Sequence, residues 1–319
     1  MRAVYMGTPD FAVRTLEAMV EAGHEVQMVV TQPDRVKGRG KKLAFSPVKE
    51  KALSLGLCVE QPEKVREEPF IQKLESLKPD VIVVVAFGQI LPERILQIPK
   101  YGCINVHASL LPAYRGAAPI QWAVIDGLVE TGVTTMYMDQ GLDTGDIIAQ
   151  RKILLKPDET GGSLFERLAE EGAVLLVDTL RMLEEGIAVR TPQDHGKSSY
   201  AKMLTKEMGR LDFSQDAIDL ERRIRGFDPW PTAYTKLSGK LLKLFRVEAI
   251  SEEEVNSLGG VNTKPGTVLK VEKKAFTVRC GMGALRILVL QPEGKKRMDS
   301  SAFLAGYGLK EGTVLGDDA

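Results

Sequence analysis

Apolar residues recur along the first half of the chain in two alternating patterns: short dense runs, and stretches with an apolar position every third or fourth residue. Residues 2–6 form a dense run that stops at Gly7-Thr8-Pro9-Asp10, a strand leading into a turn. Phe11, Val13, Leu16, Met19 and Val20 then share one helical face, with Gly23 as the stop. The same reading predicts strands at 26–30 and 58–59 and helices at 47–55 and 70–77. Val81 to Val85 is an unbroken branched-chain run, the pattern of a parallel strand covered on both faces. A strand at 102–106, a helix opening at 120–125, strands at 132–138 and 147–155 and a long amphipathic helix at 163–185 complete the series. Such alternation predicts an α/β fold with a Rossmann-like, mostly parallel sheet.

After about residue 188 the pattern changes. Residues 191–199 are polar and turn-rich and read as a linker. A helix is expected at 217–225, followed by short runs at 241–247, 266–271, 275–280 and 284–290, separated by Gly or Pro. Short, regularly spaced strands suggest a small β-barrel. The expected organisation is a domain over 1–188, a linker over 189–207 and a barrel over 208–319, and 319 residues suit two domains.

Composition narrows the class. The chain is 44% hydrophobic and 27% charged, with no net formal charge, so bulk electrostatics give no reason to expect a nucleic-acid partner. The three cysteines, Cys58, Cys103 and Cys280, have no CxxC spacing. Cys58 and Cys103 lie in strand-like runs, which predicts buried thiols in a reducing compartment and neither disulfide nor metal site. No apolar run reaches membrane-spanning length, and the first six residues are too short for a signal core. A cytoplasmic protein without membrane association is expected.

Candidate chemistry concentrates in 105–119. Asn105 and His107 are two apart on a strand, so both side chains leave the same face. One is an amide donor suited to a developing oxyanion, the other an imidazole able to move a proton near neutral pH. His24 and His195, the other two histidines, sit in a turn and in the linker and are expected to do nothing chemical. The loop from Asp139 to Asp146 carries three aspartates without calcium-loop spacing. One of Asp139, Asp143 and Asp146 could orient the imidazole; the sequence does not choose among them.

Two basic clusters qualify the zero net charge. Arg35, Lys37, Arg39, Lys41, Lys42 and Lys49 face Asp34 alone in a Gly-containing insertion after the second strand. Residues 264–310, which include Lys295, Lys296 and Arg297, hold ten basic and three acidic side chains. Together they favour a polyanionic substrate over a merely solvated surface. The opening Gly7-Thr8-Pro9-Asp10 lacks the three glycines of a dinucleotide fingerprint, and no Walker loop or Gly-x-Ser-x-Gly elbow is present.

Asn105-x-His107, Ser109-Leu110-Leu111-Pro112, Tyr114-Arg115-Gly116 and Asp143-Thr144-Gly145 together resemble the folate-dependent formyltransferase family. Gly7-Thr8-Pro9-Asp10-Phe11, Thr31-Gln32-Pro33-Asp34-Arg35, the 38–42 run and Phe227-Asp228-Pro229-Trp230-Pro231 extend the resemblance to a two-domain branch of that family. The resemblance implies a C-terminal barrel of the oligonucleotide-binding (OB-fold-like) type. It implies formyl transfer from 10-formyltetrahydrofolate to methionine on initiator tRNA, without a metal, by a monomer. It makes Asn105, His107 and Asp143 the catalytic trio, and puts the folate against Phe87, Gly88, Gln89, Ile90 and Leu91 and against Ser109, Leu110, Leu111 and Pro112. It assigns tRNA contacts to Arg35, Lys37, Arg39, Lys41 and Lys42, and in the barrel to Lys295, Lys296 and Arg297. Two alternatives are a formyltransferase for a small nucleotide or amino-sugar amine, and a non-catalytic nucleic-acid binder. The intact Asn–His–Asp set argues against the second, and the basic tail domain against the first.

Overall fold

A computed structural model describes residues 1–37, 42–260 and 262–316. The chain divides into two compact units: 1–119, 130–154 and 165–201 form the first, and 120–129, 155–164 and 202–319 the second.

The first unit is built on a seven-stranded sheet. Its strands are β1 (Arg2–Gly7), β2 (Glu25–Val30), β3 (Val59–Glu60), β4 (Val81–Val85), β5 (Cys103–His107), β6 (Glu130–Tyr137) and β7 (Ile147–Leu154). Their order across the sheet is β7-β6-β5-β4-β1-β2-β3. The five strands from β3 to β5 are parallel, and β6 and β7 add to the edge antiparallel. All five β4 residues are buried, as their branched-chain run predicts for a strand covered on both faces. Chain order reverses between β1 and β4, and in such sheets ligands bind outside the carboxyl ends of the strands at that reversal.

Helices Phe11–Glu21 and Glu68–Leu77 follow the predicted apolar faces. A Cβ on Gly7 would lie 2.8 Å from the Ala12 Cβ, so the tight passage from β1 into the first helix requires glycine. One expectation fails at the sheet edge. Cys58 is exposed, because β3 is only two residues long, begins after it and pairs with β2 alone. Cys103 and Cys280 are buried, and burial pushes both thiols up to about 12.

The second unit holds an antiparallel sheet of β8 (Ala233–Leu237), β9 (Lys240–Ile250), β10 (Val268–Val271), β11 (Phe276–Arg279), β12 (Ala284–Pro292) and β13 (Met298–Asp299). The order is β8-β9-β12-β11-β10, with β13 paired to β12. Residues 312–316 join the two outer strands. Leu315 N donates to Gly266 O beside β10 at 2.8 Å, and Gly316 N donates to Lys236 O of β8 at 3.0 Å. This link covers part of the two edges that an antiparallel sheet otherwise presents. Leu242, Leu244, Phe276, Leu285, Ile287 and Leu290 fill the interior. Helix Ala217–Gly226 adds Leu220 and Ile224, four apart on one face. The short helices Glu252–Ser257 and Ser300–Tyr307 were not legible among these strand patterns.

Candidate active site

Asn105 and His107 leave the end of β5 on the same face, opposite Met136 and Thr134 of β6. The His107 ring is buried. Its Nε2 lies 2.9 Å from the carbonyl oxygen of Tyr114. A carbonyl only accepts, so Nε2 carries a hydrogen, and Nδ1 is the atom left to take up a proton. The Nδ1 atom faces Asp143 Oδ2 at 3.7 Å. Asn105 is half-buried, and its side-chain amide has no hydrogen-bond partner among the described residues.

The structure separates the three aspartates. Asp139 holds its own turn, accepting from Gly141 N at 2.9 Å and from Thr144 Oγ1 at 2.6 Å. Asp146 pairs with Arg190 at 3.1 Å, and the Arg190 guanidinium also stacks on Tyr137. Asp143 alone turns inward, accepting from Gly116 N at 2.7 Å beside His107. Its φ of 53° is left-handed, which places the side chain where an ordinary turn conformation would not.

Sequence reasoning missed Gln193. The polar stretch that reads as a linker lies against the first unit. Thr191 pairs with Ile147, and Tyr200-Ala201 pairs in parallel with Arg115-Gly116. Gln193 is buried, accepts from Arg115 and donates to the carbonyls of Asp143 and Gly145. His195 Nδ1 also lies 3.3 Å from Arg115 Nη1. The signal was faint: a single amide in a turn-rich run, some fifty residues from the loop it holds.

The segments assigned to folate divide by environment. Ala86, Phe87 and Gly88 line a cleft of about 420 Å³ at the carboxyl ends of β1, β2 and β4, together with Thr8 and Gln32. The Phe87 ring itself is buried in the core beneath. Gln89 is turned inward, its Oε1 accepting from Val65 N at 3.0 Å; Leu91 is buried and Ile90 is 87% exposed. Ser109 donates to Ala113 O at 2.7 Å and is buried, as is Leu111, while Leu110 and Pro112 are half-buried. Thr134 and Gln150 hold this segment: Thr134 Oγ1 donates to Ser109 O and Gln150 Nε2 donates to Leu111 O.

The basic residues also separate. Arg35–Lys37 and Lys42–Ala44 form a two-stranded ribbon, whereas Arg39 and Lys41 lie outside the described residues. Lys49 is neutralised inside the unit, with Nζ 2.5 Å from Asp34 Oδ2 and above the Phe45 ring. The Lys49 ammonium, together with Gln61, holds the Asp34 carboxyl below its ordinary range. In the second unit Lys295 and Lys296 are exposed, while Arg297 pairs with Asp228 and stacks on Phe245. Among the described residues, no cluster of three or more His, Cys, Asp or Glu could hold a metal, and no helix is long and apolar enough to cross a membrane.

Residues 1–180 match the family described as formyl transferase, and residues 203–308 match the formyl transferase C-terminal domain. The methionyl-tRNA formyltransferase of Lachnospira eligens is 55% identical over 317 residues, covering 99% of this chain and 100% of that protein. That of Geobacter sulfurreducens is 49% identical over 317 residues, covering 99% and 97%. Among solved structures, HypX from Aquifex aeolicus in complex with tetrahydrofolic acid superposes with a TM-score of 0.63 at 21% identity over 98% of this chain. The chain spans about half of HypX, 48% of its length. The sugar 3N-formyl transferase WlaRD superposes with a TM-score of 0.64 at 16% identity, covering 93% of this chain and 99% of that one. At these identities the two structures establish the fold alone.

Proposed function

The chain belongs to the methionyl-tRNA formyltransferase family, and on that premise we propose that Asn105, His107 and Asp143 carry its chemistry. The reaction moves a formyl group from 10-formyltetrahydrofolate to the α-amino group of methionine on Met-tRNA. The observation that supports this trio is the Asn105 amide, without a hydrogen-bond partner among the described residues, on the same strand face as a His107 ring flanked by Asp143.

10-Formyltetrahydrofolate supplies the activated formyl carbon. The amine must reach it uncharged; as its nitrogen bonds to the formyl carbon, negative charge builds on the formyl oxygen, and when the bond from that carbon to the folate N10 breaks, N10 leaves with the proton the amine gives up. Asn105 donates its amide N–H to that oxygen, a preorganised donor where charge develops. His107 adds its Nε2–H once substrate displaces the Tyr114 carbonyl, since catalytic hydrogen bonds often form only in the substrate complex. Asp143 places its negative charge beside Nδ1, on the far side of the ring from the Nε2–H that donates to the formyl oxygen.

The Phe87–Leu91 and Ser109–Pro112 segments would hold the folate. Gln89 and Ser109 spend their side chains on the protein backbone, so these segments offer main-chain groups and apolar surface, the exposed Ile90 foremost. Arg35, Lys37, Arg39, Lys41 and Lys42, with Lys295, Lys296 and Arg297, are read as the tRNA contacts. The division into a catalytic region over 1–188, a joint over 189–207 and a tRNA-binding barrel over 208–319 belongs to the same reading, as do monomeric action and a cytoplasmic location.

The test is acceptor competition with 10-formyltetrahydrofolate as donor. Met-tRNA should be formylated, with free methionine and nucleotide-linked amino sugars left unmodified. Equal formylation of a small amine would overturn the tRNA role of the basic segments.

A further inference from the structure

We propose that Gln193 is a positioning residue for the His107–Asp143 pair, a role that rests on the functional reading above. Its Oε1 accepts from Arg115 Nη2 at 2.6 Å and from Arg115 Nε at 3.1 Å. Its Nε2 donates to Asp143 O at 2.9 Å and to Gly145 O at 2.7 Å. An amide has two donor hydrogens and two acceptor lone pairs, and all four are used. The orientation is unambiguous, because guanidinium only donates and carbonyls only accept. A glutamate could hold Arg115 but not the carbonyls, and an apolar residue of this size could hold neither.

The two partners of Gln193 belong to the two chain segments that flank the His107 ring. Arg115 lies between Tyr114, whose carbonyl faces Nε2, and Gly116, whose N–H is bonded to the Asp143 carboxylate. Asp143 lies on the opposing loop in a left-handed conformation, which aspartate tolerates better than most side chains. Asp139 braces the loop through its Gly141 and Thr144 bonds, but those bonds stay within the loop. Gln193 bolts the loop to the 114–116 segment and so fixes the Asp143 carboxylate beside the imidazole. The Thr191–Ile147 bridge anchors the segment that carries it.

Gln193→Leu keeps the side chain's bulk and removes all four bonds. In the ligand-free full chain, the Gly116 amide should exchange with solvent at least tenfold faster than in the parent, while amides of β4 keep their protection. For formyl transfer to Met-tRNA, kcat should fall about 10–10²-fold, the scale of a displacement near 1 Å, with KM for both substrates within about twofold. In an Asp143→Asn background the same substitution should cost less than about threefold, because residues acting as a unit are not additive. A purely structural role would be additive. If Gln193→Leu does not fold, Gln193→Asn, one methylene too short to span both partners, is read by the same measures. Unchanged Gly116 exchange, unchanged kcat in a folded variant, or full additivity with Asp143→Asn overturns the positioning role. Full activity of Asp143→Asn alone overturns the functional reading itself.

Discussion

Asp143 Oδ2 serves two groups at once: it accepts from Gly116 N at 2.7 Å and stands 3.7 Å from His107 Nδ1. The second distance is too long for a hydrogen bond but short for a charge interaction in a buried site. Asp143→Asn keeps an oxygen for Gly116 and removes the charge. It should lower kcat for Met-tRNA formylation by about 10²–10⁴-fold, the range of general acid–base assistance, with little change in either KM. Steady-state kinetics check this, and an undiminished kcat would remove Asp143 from the chemistry.

The Asp143 loop also depends on a glycine. A Cβ on Gly145 would lie 1.8 Å from the carbonyl oxygen of Tyr137, a rigid strand atom that cannot give way. Gly145→Ala should therefore destabilise the chain by about 1–3 kcal/mol, as overpacking does, and depress activity beyond that loss. Denaturant melts alongside kcat measure the two effects; an unchanged melt would mean that the loop relaxes freely.

Much of this arrangement was legible beforehand and some was not. The Val81–Val85 run announced a buried parallel strand, and the i, i+2 spacing placed Asn105 and His107 on one face. The choice among Asp139, Asp143 and Asp146 was not legible in spacing or composition, because it turns on one left-handed φ and on a partner, Arg190, forty-four residues from Asp146; only the family resemblance named Asp143. Gln193 was hidden for the same reason: its polar surroundings signal solvent, and only the Thr191–Ile147 pairing carries it inward. Cys58 misled because local apolarity says nothing of whether a neighbouring strand will cover it.

Asp34 gives a pH signature. Lys49 and Gln61 hold its carboxyl below the ordinary aspartate range, so its native pairing favours the ionised form. A depressed folded-state value contributes stability above the unfolded-state value, and that stability is lost as pH falls through the folded one. The Tm gap between the parent and Asp34→Asn should be constant from neutral pH down to the ordinary aspartate range, then close as pH drops below it. A gap that closes as pH rises from 5 to 8 would show that another group is responsible.

Salt dependence separates the lysines. Exposed Lys295 and Lys296 should each remove about 0.7–0.9 from the log–log salt slope of tRNA binding when changed to Ala, as expected for one phosphate contact each. Lys49→Ala should leave the slope nearly unchanged, because its charge is already spent on Asp34. Filter binding over a series of salt concentrations reads both, and equal slopes for Lys295→Ala and the parent would place that residue outside the tRNA footprint.

The central claim is that Asn105 and His107 act together on the formyl oxygen, and Asn105→Ala tests it most directly. Loss of one oxyanion donor should lower kcat for Met-tRNA formylation by about 10²–10³-fold, with KM for 10-formyltetrahydrofolate and for Met-tRNA almost unchanged. An intact kcat with only KM raised would make Asn105 a binding residue and contradict the account.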